Sequence, residues 1–111
     1  MKICILGAGG VFGNQLAAYC MRQGHEVMGI GRGKRKPECF SLGIEYPYFI
    51  GHVTYDTARI GWLIEHEKAE VVVNFAAQGE GAASWGSDNW RFYETNCTGL
   101  VKLHAMIDCP F

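Results

Sequence analysis

The chain has 111 residues, enough for one domain, and 49% hydrophobic against 19% charged residues is typical of a globular protein. Ten basic residues against eleven acidic ones exclude a basic nucleic-acid-binding segment, and no apolar run approaches the ~20 residues of a membrane span. We therefore expect a cytoplasmic protein that binds neither nucleic acid nor membrane.

Strands and helices are predicted to alternate along the chain. Short apolar runs that end at glycine or polar residues predict strands, and longer runs with a period near 3.6 predict helices. In the first helix Phe12, Leu16 and Cys20 recur on one face, and Asp56 is the expected N-cap of the second. The predicted strands are 2–6, 26–30, 48–53 and 71–75, and the predicted helices are 11–23, 56–67 and 88–107.

This order favours an α/β fold with a Rossmann-type, doubly wound parallel sheet, of which four strands form the N-terminal half. The strand at 71–75 should lie at or near an edge of the sheet. The last helix, from about Asp88 to Ile107, has two apolar stripes. One stripe should pack on the sheet, and the other should be covered by a partner subunit or by a further part of the protein.

A glycine-rich turn between the first strand and the first helix is the most informative segment. Gly7, Gly10 and Gly13 have the spacing Gly-x-x-Gly-x-x-Gly. The first glycine allows a tight turn, the second lets the backbone approach a pyrophosphate, and the third allows close packing of helix on strand. The helix N-terminus then presents N–H groups to the phosphates. We therefore expect a dinucleotide site here.

The end of the second strand bears on the choice between NAD and NADP. An acidic residue there would bind the ribose 2′-hydroxyl of NAD, but the chain has Gly31, Arg32 and Gly33. An arginine can bind a 2′-phosphate through two parallel hydrogen bonds. We therefore predict NADP as the preferred cofactor, with NAD as the alternative.

Three blocks in this order resemble the extended short-chain dehydrogenase/reductase family, and more narrowly its nucleotide-sugar epimerases and 4,6-dehydratases. They are the glycine loop at 7–13, the pair Ala76-Ala77 after the fourth strand, and the helix block 93–99 with its Asn-x-x-Gly sequence. The segment 26–32 looks most like the NADP-dependent GDP-mannose dehydratase branch. The resemblance spans essentially the whole chain.

The resemblance implies roles for individual residues. Backbone N–H groups of two residues would bind the pyrophosphate, small residues at a strand end would line the cofactor, and residues after them would meet the sugar nucleotide. His52 stands beside Val53 where the family usually has an aspartate on the adenine amino group, so that contact depends on an imidazole nitrogen. Asn96 would support the active-site water and lysine network. The pyrophosphate residues are Val11 and Phe12, the lining residues are Phe75, Ala76 and Ala77, and the substrate-side residues are Gln78, Gly79 and Glu80.

The family's catalytic pair, Tyr-x-x-x-Lys, has no counterpart among the five tyrosines of the chain. The nearest match, Tyr55 with Arg59, precedes the fourth strand, and arginine stays protonated in a proton relay. We therefore expect residues 1–111 to be an NAD(P)-binding domain that stops before the catalytic region of a longer enzyme. The chain alone should be inactive, and no metal site is predicted.

Two functions remain open from the sequence. In the first, the chain is part of an oxidoreductase that acts on a sugar nucleotide by hydride transfer and forms a homodimer through the helix at 88–107. In the second, it is a non-catalytic dinucleotide-binding sensor or scaffold module. The intact mass of the protein in its native cell distinguishes the two.

Overall fold

A computed structural model describes residues 1–33, 45–76 and 90–111. The predicted strands and helices are confirmed there, with shifts of up to three residues at their ends. None of the described helices has the length and apolar character needed to cross a bilayer. The strands are β1 (Lys2–Leu6), β2 (Glu26–Gly31), β3 (Tyr48–Ile50) and β4 (Val71–Asn74); the helices are α1 (Val11–Arg22), α2 (Thr57–His66), α3 (Trp90–Tyr93) and α4 (Gly99–Met106), with a π-helical turn (Glu94–Thr98) between the last two.

The four described strands form one parallel sheet in the order β3-β2-β1-β4. Ile3 pairs with Val27 on one side and with Val71 on the other, so β1 lies inside the sheet between β2 and β4. The carboxyl ends of all four strands therefore point to the same edge of the sheet. The order reverses at β1, and in open α/β sheets such a switch point is where a ligand cleft forms.

Side chains on the two faces of the sheet belong to two separate apolar clusters. Cys4 and Leu6 point into the cluster shared with α2 and α4, where Ile60 and Leu103 are fully buried. Ile5 points to the opposite face, into the cluster that α1 covers. The period-2 alternation of β1 thus feeds two cores, as expected for a sheet with helices on both faces.

Of the three residues that recur on one face of α1, Cys20 alone is buried. Phe12 is 77% exposed and Leu16 is only partly buried, whereas Ala17 and Ala18 are buried. Gly13 also lies on the buried face, where a Cβ would approach the Gly7 carbonyl oxygen to 2.5 Å. Small residues face the sheet because the start of α1 packs directly against the backbone of Gly7 and Ala8, which leaves little space between the helix and the sheet.

Asp56 occupies the N-cap position of α2, but its side chain does not cap the helix. Its Oδ2 instead accepts a hydrogen bond from the His52 backbone N–H at 2.8 Å. Thr57 donates its hydroxyl proton to the Val53 carbonyl oxygen at 2.6 Å. The polar side chains at the start of α2 therefore stabilise the loop that joins β3 to the helix.

The strand β4 lies at one edge of the described sheet, as predicted. Its outer side meets the last residues of the chain, because the Val72 backbone N–H donates to the Pro110 carbonyl oxygen at 2.8 Å. The segment after α4 thus runs beside β4, and Ile107 is buried in the core below it. Backbone pairing at this edge begins to cover a strand that would otherwise expose unpaired groups.

Candidate functional site

The glycine turn after β1 has the conformation that the glycine spacing predicts. Gly7 has φ +79°, which an L-amino acid with a side chain rarely adopts, and its N–H donates to the Ile30 carbonyl oxygen at 2.8 Å. A Cβ at Gly7 would also lie 2.6 Å from the carbonyl carbon of Phe75. The turn therefore packs its backbone directly against the ends of β2 and β4.

The N-terminus of α1 opens immediately after this turn. Gly10 is the N-cap, no side chain caps the helix, and its N–H donates to the Gly7 carbonyl oxygen at 3.2 Å. By helix geometry, the N–H groups of Val11 and Phe12 have no acceptor within α1. Both side chains are exposed, so the first turn can offer its backbone donors to a bound anion.

A cleft of about 280 Å³ lies at the carboxyl ends of the strands, over the glycine turn. It brings together six of the predicted cofactor-binding residues, and four different loops supply them. Gly13 lies behind the cleft, where it allows α1 to approach β1. The six predicted residues that line the cleft are Gly7, Gly10, Arg32, Val53, Phe75 and Ala76.

The opposite ends of the cleft differ in charge. Arg32, which follows β2, is exposed and supplies a positive charge to one end. At the β4 end the described lining residues, Phe75, Ala76 and Thr95, are uncharged. The Phe75 N–H there donates to the Leu6 carbonyl oxygen at 2.8 Å, and the Ala76 N–H donates to Oδ1 of Asn74 at 2.9 Å. An elongated ligand with one charged and one uncharged end therefore has a defined orientation in this cleft.

His52 lies beside the cleft in the loop between β3 and α2, and it is not part of the lining. Its Nδ1 accepts a hydrogen bond from the Thr54 backbone N–H at 3.0 Å, which requires that nitrogen to be unprotonated. Burial lowers the pKa of His52, the Arg32 guanidinium lowers it further, and the Asp56 carboxylate opposes both effects. The imidazole can therefore act as a neutral hydrogen-bonding group near the arginine.

The π-helical turn places Thr95, rather than Asn96, in the cleft. Thr95 is buried and lines the cleft, and its hydroxyl lies 3.4 Å from that of Thr54. Asn96 is exposed, and its predicted supporting role stays a prediction. One extra residue in a helical turn rotates the following side chains, and such turns often occur at functional sites.

Several lining residues were not proposed as site residues from the sequence. Most are glycines at strand ends, a signal that the parallel-sheet rule could have used, because strand carboxyl ends meet at one edge. Tyr48 had no such signal, since it begins β3 and reaches the cleft only through its long side chain. The residues that sequence reasoning missed are Gly9, Ile30, Gly31, Gly33, Tyr48, Gly51 and Thr95.

The predicted residues Ala77, Gln78, Gly79 and Glu80 lie outside the described residues. The basic residues that follow Gly33 in the sequence, Lys34, Arg35 and Lys36, also lie outside them. In the three described ranges, His, Cys, Asp and Glu side chains form no group of three or more that could hold a metal ion. The described part of the cleft offers backbone donors, the Arg32 guanidinium and largely apolar walls. This set of groups suits a phosphate-containing ligand with aromatic ends.

Comparison with known proteins gives a family match and many structural matches. The model of the NAD dependent epimerase/dehydratase family matches residues 3–109. The UDP-glucose-4-epimerase of Stenotrophomonas maltophila, solved with NAD and formylated UDP-arabinopyranose, has 18% identity and a TM-score of 0.82 over 96% of this chain and 33% of its own. The UDP-glucuronic acid 4-epimerase of Bacillus cereus, solved with UDP-glucuronic acid and NAD, has 23% identity and a TM-score of 0.75 over 96% of this chain and 36% of its own.

The UDP-glucose 4-epimerase of Thermus thermophilus, in complex with NAD, has 21% identity and a TM-score of 0.80 over 96% of this chain and 33% of its own. The chain thus spans about a third of the length of these solved proteins. At such identities the structural likeness establishes a shared fold. A comparison with curated proteins gives no significant match.

Proposed function

Since this chain belongs to the NAD dependent epimerase/dehydratase family, we propose that it forms the dinucleotide-binding portion of an oxidoreductase that acts on a nucleotide sugar. The observation that carries the proposal is the cleft in which the glycine turn and the N-terminus of α1 meet the ends of β1, β2 and β4. Backbone donors at a helix N-terminus favour phosphate, and the shape of the cleft favours a ligand with two ends.

The residues of the cleft fit a dinucleotide in one direction. The N–H groups of Val11 and Phe12 would bind the pyrophosphate over the glycine turn. Arg32 would meet the adenosine ribose, with His52 and Val53 beside the adenine. Among the described residues, a Cβ at Gly10 would have only the Gly7 carbonyl oxygen, at 3.5 Å, within 4 Å, so these residues leave room there for a ligand. Phe75, Ala76 and Ala77 would line the half that carries the nicotinamide.

NADP is the preferred cofactor in this proposal. Support comes from Arg32, which follows β2 and whose exposed guanidinium lines the cleft, while no acidic residue lies between Gly31 and Glu38. A guanidinium binds a phosphate monoester through two charge-assisted hydrogen bonds, which a ribose hydroxyl cannot match. NAD, which the matched epimerases carry, remains the second candidate.

For the whole protein we propose hydride transfer at a sugar carbon. The bound dinucleotide would accept and return the hydride. The 111 residues would bind and orient the dinucleotide, with the glycine turn and the N-terminus of α1 fixing the pyrophosphate. Gln78, Gly79 and Glu80, which follow the β4 end of the cleft in the sequence, would meet the substrate. The acid/base Tyr-x-x-x-Lys pair would come from sequence beyond these residues, because none of the five tyrosines here has a lysine at that spacing.

We also propose that the protein is a homodimer through α3 and α4. Trp90, Tyr93 and Val101 are exposed along these helices, while Leu103 is fully buried. A helix with one apolar face in the core and another in solvent is typical of an interface. The non-catalytic sensor or scaffold remains the second candidate, favoured by the missing Tyr-x-x-x-Lys pair. A native mass equal to that of these 111 residues would select it.

The binding proposal is tested by calorimetric titration of the chain with NADP and with NAD. We expect saturable binding of one dinucleotide per chain. Gly10→Ala should keep the fold and weaken the binding of both dinucleotides, because the added methyl enters the space that the pyrophosphate needs. Gln15→Ala, at an exposed position of α1 outside the cleft, serves as the control. Absence of saturable binding of either dinucleotide would refute the proposal.

A further inference from the structure

Tyr48 begins β3, yet its side chain forms part of the cleft wall at the end of β2. The two strands pair with Tyr48 opposite Gly29, so the phenol runs along β2 toward its carboxyl end. A Cβ at Gly9 would lie 2.6 Å from the Tyr48 hydroxyl oxygen, and a Cβ at Gly31 would lie closer still. The ring fits only because glycines occupy both positions.

The hydroxyl of Tyr48 holds the turn that carries Arg32. It donates to the Gly33 carbonyl oxygen at 2.5 Å, and the Gly51 N–H donates to the Gly31 carbonyl oxygen at 2.8 Å. The backbone on each side of Arg32 is therefore tied to β3 or to the residue directly after it. A Gly-Arg-Gly turn without these bonds would be among the most mobile backbones, because glycine has the largest conformational entropy.

Arg32 needs such support because its own side chain is long and exposed. A guanidinium binds a phosphate through two parallel hydrogen bonds only if its plane and position are set, and ordering an arginine side chain costs conformational entropy. Arg32 and Tyr48 line the same cleft, and the Arg32 charge helps to lower the pKa of His52 in the loop after β3. Both β3 and the loop after it thus border the position of the arginine.

We propose that Tyr48 is a positioning residue for cofactor discrimination, because its hydroxyl fixes the Gly31–Gly33 turn so that Arg32 meets the 2′-phosphate of NADP. This inference rests on the proposed dinucleotide site and adds a determinant outside the glycine loop. NAD lacks that phosphate, so its binding should depend less on the same arginine. The hydroxyl of Tyr48 should therefore affect the ratio of the two affinities.

The test is calorimetric titration of the full chain and of Tyr48→Phe with NADP and NAD. Loss of one supporting hydrogen bond should weaken NADP binding about five- to tenfold. NAD binding should change less than about twofold, and this value also reports that the variant is folded. Tyr46→Phe is the matched control, since its hydroxyl donates to Asn14 Oδ1 at 3.0 Å on α1 and not to the arginine turn. That variant should leave the affinity ratio unchanged.

A second arm tests whether Tyr48 acts through Arg32. In Arg32→Ala the preference for NADP should be lost, and adding Tyr48→Phe should then change neither affinity further. Equal weakening of NADP and NAD in Tyr48→Phe would overturn the proposal, and so would an additional loss of NADP binding in the double variant. Wild-type chain that binds NAD more tightly than NADP would also refute it. A wild type that binds neither would refute the proposed function itself, and the two failures are therefore distinguishable.

Discussion

At the residue scale, His52 shows how hydrogen bonds and charges together set one protonation state. Its Nδ1 accepts the Thr54 N–H, so protonation of that nitrogen breaks a backbone hydrogen bond. Burial and the Arg32 charge lower its pKa, and Asp56 compensates only in part. The folded chain therefore favours neutral His52. Because Nδ1 accepts the Thr54 N–H, the neutral ring carries its proton on Nε2, which could donate to a ring nitrogen of adenine but could not accept from the adenine amino group.

We predict that His52 makes the chain less stable as the pH falls. In the unfolded chain its pKa is near ~6.5, and in the folded chain it is lower. The free energy of unfolding therefore has its full value above the pKa of His52 in the unfolded chain. It decreases below that pH because the unfolded state binds a proton before the folded state does. His52→Asn retains an acceptor for Thr54 but cannot titrate. The free energy of unfolding, measured with urea between pH 7.5 and 5, should fall less steeply with decreasing pH for this variant than for the wild type. Equal slopes for the two proteins would contradict the prediction.

At the element scale, α1 packs on the sheet through small residues. Ala17 is fully buried and Ala18 nearly so, whereas Phe12, the largest apolar residue of the helix, is mostly exposed. The close approach starts at Gly13, whose position has no room for a Cβ next to the backbone of Gly7 and Ala8. The glycine turn therefore sets the distance between helix and sheet, and that distance selects small side chains further along α1.

We predict that two substitutions in α1 differ in their effect on the free energy of unfolding. Ala17→Leu inserts three carbon atoms into a closely packed interface and should lower the free energy of unfolding by about 1–3 kcal/mol. Phe12→Ala shortens a side chain that is already exposed to solvent and should change the free energy of unfolding by less than about 0.5 kcal/mol. Chemical denaturation of both variants provides the measurement. A larger loss for Phe12→Ala than for Ala17→Leu would show that α1 packs through the other face.

At the scale of the whole molecule, exposed apolar side chains occur on several of the described elements, the last helices among them. Leu103 and Ile107 anchor the last helix in the core with α2, but Trp90, Tyr93 and Val101 are exposed. Exposed apolar residues that occur singly need no explanation, whereas several along one helix mark a surface that another protein covers. This is the structural basis for the proposed dimer.

We predict that the chain associates in solution through this surface. Sedimentation equilibrium should show a dimer whose proportion rises with concentration, and Val101→Asp should shift it toward monomer because a charge would be buried at the interface. Lys102→Glu, an exposed neighbour on the same helix, changes charge without removing apolar surface and serves as the control. A wild type that is monomeric over the whole concentration range would refute the dimer.

The order and type of the elements could be predicted from the sequence because they depend on short-range patterns. Short apolar runs that end at glycine or polar residues identified all four strands of the described sheet, and the 3.6-residue periodicity identified the helices. The positive φ at Gly7 agrees with its predicted turn. The cleft at the carboxyl ends of parallel strands follows from the same alternation, since topology brings those ends together. Sequence alone thus determined the fold class and the region of the site.

Tertiary structure decided which side chains meet in that region. The exposure of Phe12 depends on how close α1 lies to β1, and the place of Thr95 depends on an extra residue in a helical turn. Tyr48 reaches the cleft because its strand lies beside β2 and three glycines leave space for its ring. Periodicity records which face of an element is apolar, but distances between elements are set by packing over the whole chain, and these distances decide the contacts.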